Sequence, residues 1–402
     1  MSDAAAQRGP VVIHSARLAS EATVTPDAWV AFTGDTVSAV GIGTSWRSCN
    51  ATSVVDARGR WLTPGFIDIH CHGAGGAAFD DGTAAIATAL AVHRAHGTTR
   101  SVLSLVTASL ADLESRLDVI AAAAARDPLI LGAHLEGPFL DQGFRGAHDP
   151  ALLRAADAAA IDRLLLASRG YLRQVTLAPE LPGAMAAIAR FVDAGVVVAV
   201  GHSAADYASA SAAFDAGASV LTHAFNAMPG IHHRAPGPVM AAVRANHVTL
   251  EIINDGVHVH PEIVRLAFTE APERVALVTD AMAATGLGDG EYRLGTLRVT
   301  VTDGVARLTA GARDGAGAGG GAASALGAIA GSTLTLDAAL FRAVIEVGLP
   351  VAVAVTALTE TPARAIGRVN DLGRLAPGFA ADAVLLSDDF TVEAVFAAGK
   401  RL

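Results

Sequence analysis

Lysine is almost missing from this chain: Lys400 is the only one, beside 28 arginines. Cysteine is scarce as well, with Cys49 and Cys71 the only two, which excludes a disulfide framework and fits a reducing compartment. Aromatic residues make up 5% and charged residues 17% of the 402. No apolar stretch reaches the length of about 18 residues that a membrane span needs without charged or polar breaks, so no span is expected. The opening MSDAAAQRGP has no basic head before an apolar run, so no secretory signal is expected. A formal charge of −10 argues against nucleic acid or an anionic membrane as partner. These absences leave an expected soluble, cytoplasmic protein that is 52% hydrophobic and long enough to bury a large core.

What is present is regular. Short strand-like pieces with turns fill the first sixty residues (VVIHSARL, AWVAFTGDTVSAVG, SVVDARG) and return at the end (ADAVLLSDD, VEAVFAAGK). Between them, apolar stretches of strand length alternate with Ala- and Leu-rich helical stretches, the pattern of βα units and a parallel sheet. Eight such strands are expected, at 66–73, 98–106, 129–137, 174–180, 196–203, 219–226, 248–258 and 274–280. The expected fold is therefore α/β: a (β/α)8 TIM-type barrel with a small β-sandwich module built from both chain termini. The expected domain plan is 1–60 and 371–402 for that module and 61–370 for the barrel. Residues 311–331, rich in Gly and Ala, lack the GK[ST] ending of a phosphate loop and read as a flexible loop or lid.

Nearly every expected strand finishes on a polar group: His70 and His72, Glu136, Glu180, His202, His223, Asn254 and Asp255, Asp280. In a barrel all strand C-termini open on one face, where the active site sits. His70 and His72 are two apart, so both imidazoles lie on one face of the strand while Cys71 packs behind it. Imidazole and carboxylate donors with nothing softer suit Zn2+ or a similar divalent first-row ion. Such a site lowers the pKa of water, and a nearby carboxylate then works as general base; Asp280 is the candidate. The stretch IHHRAPG, with His232, His233 and Arg234, supplies the local positive charge that an acidic protein needs for an anionic substrate.

The motifs HCHG (70–73), HLEGPF (134–139), GHS (201–203), THAFNAM (222–228), NDGVH (254–258) and VTDAM (278–282) resemble those of the N-acetylglucosamine-6-phosphate deacetylase family, in the amidohydrolase superfamily. The resemblance runs from about residue 55 to the C-terminus. It implies that Glu136, His202 and His223 hold a principal metal, and that His70 and His72 complete a second site which some relatives lack. It implies Zn2+ as the most expected ion, one or two per subunit, with Fe2+, Mn2+ or Co2+ as alternatives. Asp280 is then the acid/base, and His148 polarises the scissile carbonyl. Asn226, the backbone of Ala227, and His258 bind the sugar phosphate, Arg234 reaches across from the partner of a homodimer, and Ile329 before the GSTLT segment (331–335) contacts substrate. Many amidohydrolases bridge two metals with a carboxylated lysine. Here the only lysine lies in the C-terminal tail, which leaves a glutamate-based site. The implied reaction is hydrolysis of the acetamide of N-acetylglucosamine 6-phosphate, with N-acetylgalactosamine 6-phosphate or another small N-acyl compound as the alternative substrate. A barrel that has lost its ligands, or a ring deaminase, fits the filled ligand positions and the phosphate set less well.

Overall fold

The structure, a computed structural model, describes residues 10–309 and 327–402. Strands β1 (Phe66–Cys71), β2 (Thr98–Val106), β3 (Ile130–Glu136), β4 (Leu172–Leu177), β5 (Val197–Val200), β6 (Val220–Leu221), β7 (Thr249–Ile253) and β8 (Val275–Val278) form one sheet in sequence order. Every residue of β2 and β3 is buried, as parallel strands covered on both faces require. The ring closes past the end of β8, where the Asp280 N–H donates to the His70 carbonyl and the His72 N–H to the Ala281 carbonyl, both at 2.8 Å. This is the expected (β/α)8 barrel.

Three of the helices between the strands start on a side chain that caps them. Ser109 opens α2 (Leu110–Ala124), Asp157 opens the helix Ala158–Ser168, and Asp206 opens the helix Tyr207–Asp215, each accepting a backbone N–H of the first turn. Leu113, Leu117, Ile120, Ala121 and Ala124 of α2 are buried, the stripe expected of a helix lying on a sheet.

The expected strand over 219–226 is only two residues long. His223, Phe225 and Ala227 all take positive φ (27°, 78° and 50°), so the chain leaves the extended region at once. Between Ala281 and the described residues beyond 326, three antiparallel strands, Gly290–Leu294, Leu297–Thr302 and Val305–Leu308, form a separate sheet. Leu294, Val299, Val301 and Ala306 bury themselves against Val106, Ala147, Met282 and Ala330.

The chain divides into two compact units. One holds Met1–Ile67, Arg94–Arg100 and Leu336–Leu402, and the other Asp68–His93 and Ser101–Thr335. In the first, the N-terminal strands Val11–Ser20, Thr23–Thr33, Thr36–Ile42, Ser53–Asp56 and Trp61–Pro64 join Ala383–Leu386, Val392–Ala397 and Lys400–Arg401 in one hydrogen-bonded sheet. Ile13, Val30, Phe32, Leu62 and Phe396 share its core. Helix Val351–Leu358 packs on the first two strands, so this unit reaches further into the sequence than a division at residue 370. Among the described residues no helix is long and apolar enough to cross a membrane.

Candidate metal centre

The site lies in the second unit, in a cavity of about 400 Å³, within the size range of small-molecule pockets. His72, Glu136, His148, His202, His223, Asn226, Ala227, His258, Asp280 and Ile329 all line it. His70 is completely buried beside it.

Glu136, the last residue of β3, is the hub. Its Oε1 lies 3.0 Å from His202 Nε2, 3.2 Å from His223 Nε2 and 3.4 Å from His70 Nε2. Its Oε2 lies 3.1 Å from His72 Nε2 and 3.4 Å from His148 Nε2. Asp280 Oδ1 stands 3.3 Å from His72 Nε2 and 3.6 Å from His70 Nε2. Donor atoms of His70, His72, Glu136 and Asp280 all lie within 4.8 Å of one another, as do those of Glu136, His148 and His202.

The hydrogen bonds on the far side of two rings fix what faces the hub. His202 Nδ1 is 3.0 Å from the Phe144 carbonyl, which can only accept, so Nδ1 carries the proton and Nε2 presents a lone pair. His70 Nδ1 is 2.9 Å from Glu251 Oε2, and its Nε2 is buried without a hydrogen-bond partner. Lone pairs therefore face carboxylate oxygens, and His202 Nε2 also faces His223 Nε2 at 2.9 Å. Acceptors brought this close need positive charge between them, and a divalent cation with nitrogen and oxygen ligands fits that donor set.

Where no cation is bound, protons on the rings answer the same crowding. Burial alone disfavours charge on His70, yet Glu136, Glu251 and Asp280 outweigh it and hold its pKa well above the ordinary value. For His72, burial is likewise outweighed, by Asp280 and Glu136, and the pKa rises to about 9. Burial pushes Asp280 upward, but His70 and His72 bring it down to about 2. The pocket is a field of ionised carboxylates that attracts cations.

His148 is aimed by Thr107. The Thr107 hydroxyl donates to the Glu136 carbonyl at 3.1 Å, so at 2.8 Å it accepts from His148 Nδ1. Nε2 is left facing the cavity, 3.4 Å from Glu136 Oε2. Asp280 itself lies two residues past β8 with φ +47°, and His202 (φ +48°), His223 and Ala227 share this uncommon conformation. Such concentrations of left-handed non-glycine residues belong to functional sites. The Gly331–Ser332 turn braces Asp280: the Ser332 N–H donates to its carbonyl at 2.8 Å.

The other residues that the sequence singled out are placed variously. Glu180 is exposed and accepts from Ser203 Oγ (2.7 Å) and the Ala204 N–H instead of joining the site. Asp255 holds His258, Oδ2 to Nδ1 at 2.7 Å; burial disfavours the cation, but Asp255 raises the His258 pKa. Arg234 is exposed, stands outside the lining, and has Nη1 2.7 Å from His233 Nε2. Most of the 311–331 stretch lies outside the described residues, whereas Ala328, Ile329 and Gly331 line the cavity. Cys71 is buried between His70 and His72, and burial pushes its thiol well up. Phe144, Arg145, Phe225, Met228 and Leu294 also line the cavity and were not anticipated. Neither were the supports His134, Gln174 and Glu251.

A barrel with a histidine- and carboxylate-lined mouth is the architecture of the metal-dependent amidohydrolases, and this chain belongs to the amidohydrolase family, which it matches over residues 61–402. Its relatives are more particular. It is 38% identical, over 87% of its length and 89% of the relative's, to an N-acetylgalactosamine-6-phosphate deacetylase of Escherichia coli O157:H7. It is 34% identical to the N-acetylglucosamine-6-phosphate deacetylase of Vibrio furnissii, over 98% of this chain and 94% of that one. Among solved structures, a mutant N-acetyl-D-glucosamine-6-phosphate deacetylase from Mycobacterium smegmatis, in complex with N-acetyl-D-glucosamine-6-phosphate, is 42% identical with a TM-score of 0.89, covering 98% of this chain and 99% of that one.

Proposed function

We propose that this enzyme hydrolyses the acetamide of N-acetylglucosamine 6-phosphate, giving acetate and glucosamine 6-phosphate. The observation that carries the reading is the presentation of anchored imidazole lone pairs, from His202 and His70, to one oxygen of Glu136. Glu136, His202 and His223 would hold the principal cation, and His70 and His72, with Glu136 and Asp280, a second. Zn2+ suits these donors best. A bound divalent ion supplies Lewis acidity towards water and the acyl oxygen. Asp280 takes the proton of the attacking water and returns it to the departing amine, serving first as base and then as acid. His148, aimed by Thr107, presents Nε2 towards the acyl oxygen and polarises it as charge develops there.

Asn226, the Ala227 backbone and His258 stand together in the lining and would take the phosphate. His258, whose pKa the pairing with Asp255 raises, supplies the positive partner. Ile329 would pack against the sugar. Exposed Arg234 fits a homodimer in which it reaches the neighbour's cavity, and the low cysteine content fits the cytoplasm.

The relative at 38% identity favours a second reading, the galacto epimer as substrate. Acetate release tests both: chelator-stripped protein, with and without Zn2+, is given the 6-phosphates of both epimers and unphosphorylated N-acetylglucosamine. Zn2+-dependent release from the gluco phosphate above all is expected. Faster release from the galacto epimer would install the second reading, and release from neither phosphate by metal-loaded protein would overturn both.

A further inference from the structure

Glu251 sits in the middle of β7, where an aliphatic residue would be ordinary. Its neighbours in the strand are Leu250 and Ile252, and all three are fully buried. A carboxylate taken out of water costs several kcal/mol unless every lone pair finds a partner. Here both oxygens find partners, which come from three other barrel strands or their ends. Oε2 lies 2.9 Å from His70 Nδ1 and accepts the His223 backbone N–H at 3.3 Å, while Oε1 accepts from Gln174 Nε2 of β4 at 2.8 Å. With both oxygens occupied, Glu251 is spoken for and does not join the groups of donor atoms clustered at the mouth.

Because a carboxylate in this role only accepts, it fixes one tautomer of His70. Nδ1 keeps the proton and Nε2 keeps the lone pair, which is buried, unpartnered and 3.4–3.6 Å from Glu136 Oε1 and Asp280 Oδ1. Packing holds the ring as well: His134 crosses it edge-on. We infer that Glu251, anchored by Gln174, is a positioning residue that orients His70 as a ligand for a second divalent cation. Through the His223 N–H it also steadies the backbone of a ligand to the first. The inference rests on the two-cation reading above. Outer partners of metal-bound histidines orient the ring and raise its basicity, and removing one weakens metal affinity by roughly 10- to 100-fold.

The test compares Glu251→Gln, Gln174→Leu, His70→Asn and the double variant Glu251→Gln/His70→Asn. The readouts are metal content after dialysis against graded chelator and the visible spectrum of the Co2+-loaded proteins. Wild type is expected to hold two ions. His70→Asn should lose one, and Glu251→Gln should hold that same ion roughly 10- to 100-fold more weakly, with the other ion affected less. Gln174→Leu should shift the same ion in the same direction by less. The double variant should lose no more than His70→Asn alone, since both act on one ligand. A merely structural Glu251 would lower the melting temperature of metal-free protein and leave the ratio of the two affinities unmoved. Two ions bound with wild-type affinity in Glu251→Gln, beside the loss of one in His70→Asn, would overturn the positioning role. A single ion in wild type that survives His70→Asn would overturn the second site, and this inference with it, while leaving a one-metal deacetylase standing. No ion in wild type would overturn the metal reading itself.

Discussion

His134 lies edge-on to His70, ring centroids 4.7 Å apart and planes at 82°. It is completely buried, with Nδ1 2.9 Å from Ser104 Oγ and Nε2 2.8 Å from Thr176 Oγ1. Burial holds its pKa well below the ordinary value, so it is a neutral strut under the metal site. Replacing it with leucine takes one hydrogen bond from each of two buried hydroxyls, Ser104, which keeps the Cys71 N–H, and Thr176, which keeps Thr222 Oγ1, at about 0.5–1.5 kcal/mol per bond. The expected outcome for His134→Leu is a lowered melting temperature, checked by calorimetry, and weaker retention of metal by the His70 side of the centre.

Asp280→Asn removes the acid/base without removing bulk. Folding and the principal cation, held by Glu136, His202 and His223, should stay close to wild type while turnover of the phosphosugar falls by about 10²- to 10⁴-fold, the range for general acid–base groups. Metal analysis beside an acetate assay checks both halves. Near-normal turnover would take the role away from Asp280.

Gly331 has φ +65°, and a Cβ placed on it would sit 2.9 Å from the Asp280 carbonyl oxygen and 3.3 Å from Met282 Cβ. Gly331→Ala must therefore push on the backbone that holds Asp280. A loss of roughly 1 kcal/mol from the left-handed conformation alone is expected, together with a fall in turnover out of proportion to the stability change. Gly288→Ala is the control, since a Cβ there meets nothing within 4 Å; it should leave turnover unchanged.

His96 and Asp337, both in the first unit, approach to 2.8 Å, and the hydrogen bond to Asp337 raises the His96 pKa above 6.5. A histidine with a raised native pKa favours folding below its unfolded value and loses that contribution as pH climbs through the native one. The His96 side chain is 40% exposed, so screening keeps the pair within about 1 kcal/mol. Wild type should melt above His96→Gln near pH 6, and the gap should close by about pH 9. A gap that widened with pH would contradict the pairing.

Much of the centre was legible because strand geometry forces it. His70 and His72 share a face through the two-residue repeat, and Glu136 closes β3 as a strand-end carboxylate should. Glu251 was not legible: it sits inside the run LEII, where periodicity shows only a buried strand, and a buried carboxylate becomes meaningful once its partners on β1 and β4 are known. His134 stood in a quoted motif but gives no sign from spacing that it is a strut. The two-residue β6 escaped because nothing in the types His, Phe and Ala announces positive φ. The strands over 290–308 carried a readable signal in Asp303–Gly304, a hairpin dipeptide whose two residues both have positive φ (51° and 74°).

Both oxygens of Glu136 meet nitrogen donors, and that pair of oxygens is part of the polypeptide as it is translated. A site bridged by a carboxylated lysine must first capture carbon dioxide, so its assembly follows the bicarbonate supply. Here the one lysine, Lys400, is exposed on the last strand of the other unit. Metal loading of the stripped chain is then expected to depend on ion concentration and pH, with no third component, and to proceed equally well in carbonate-free buffer.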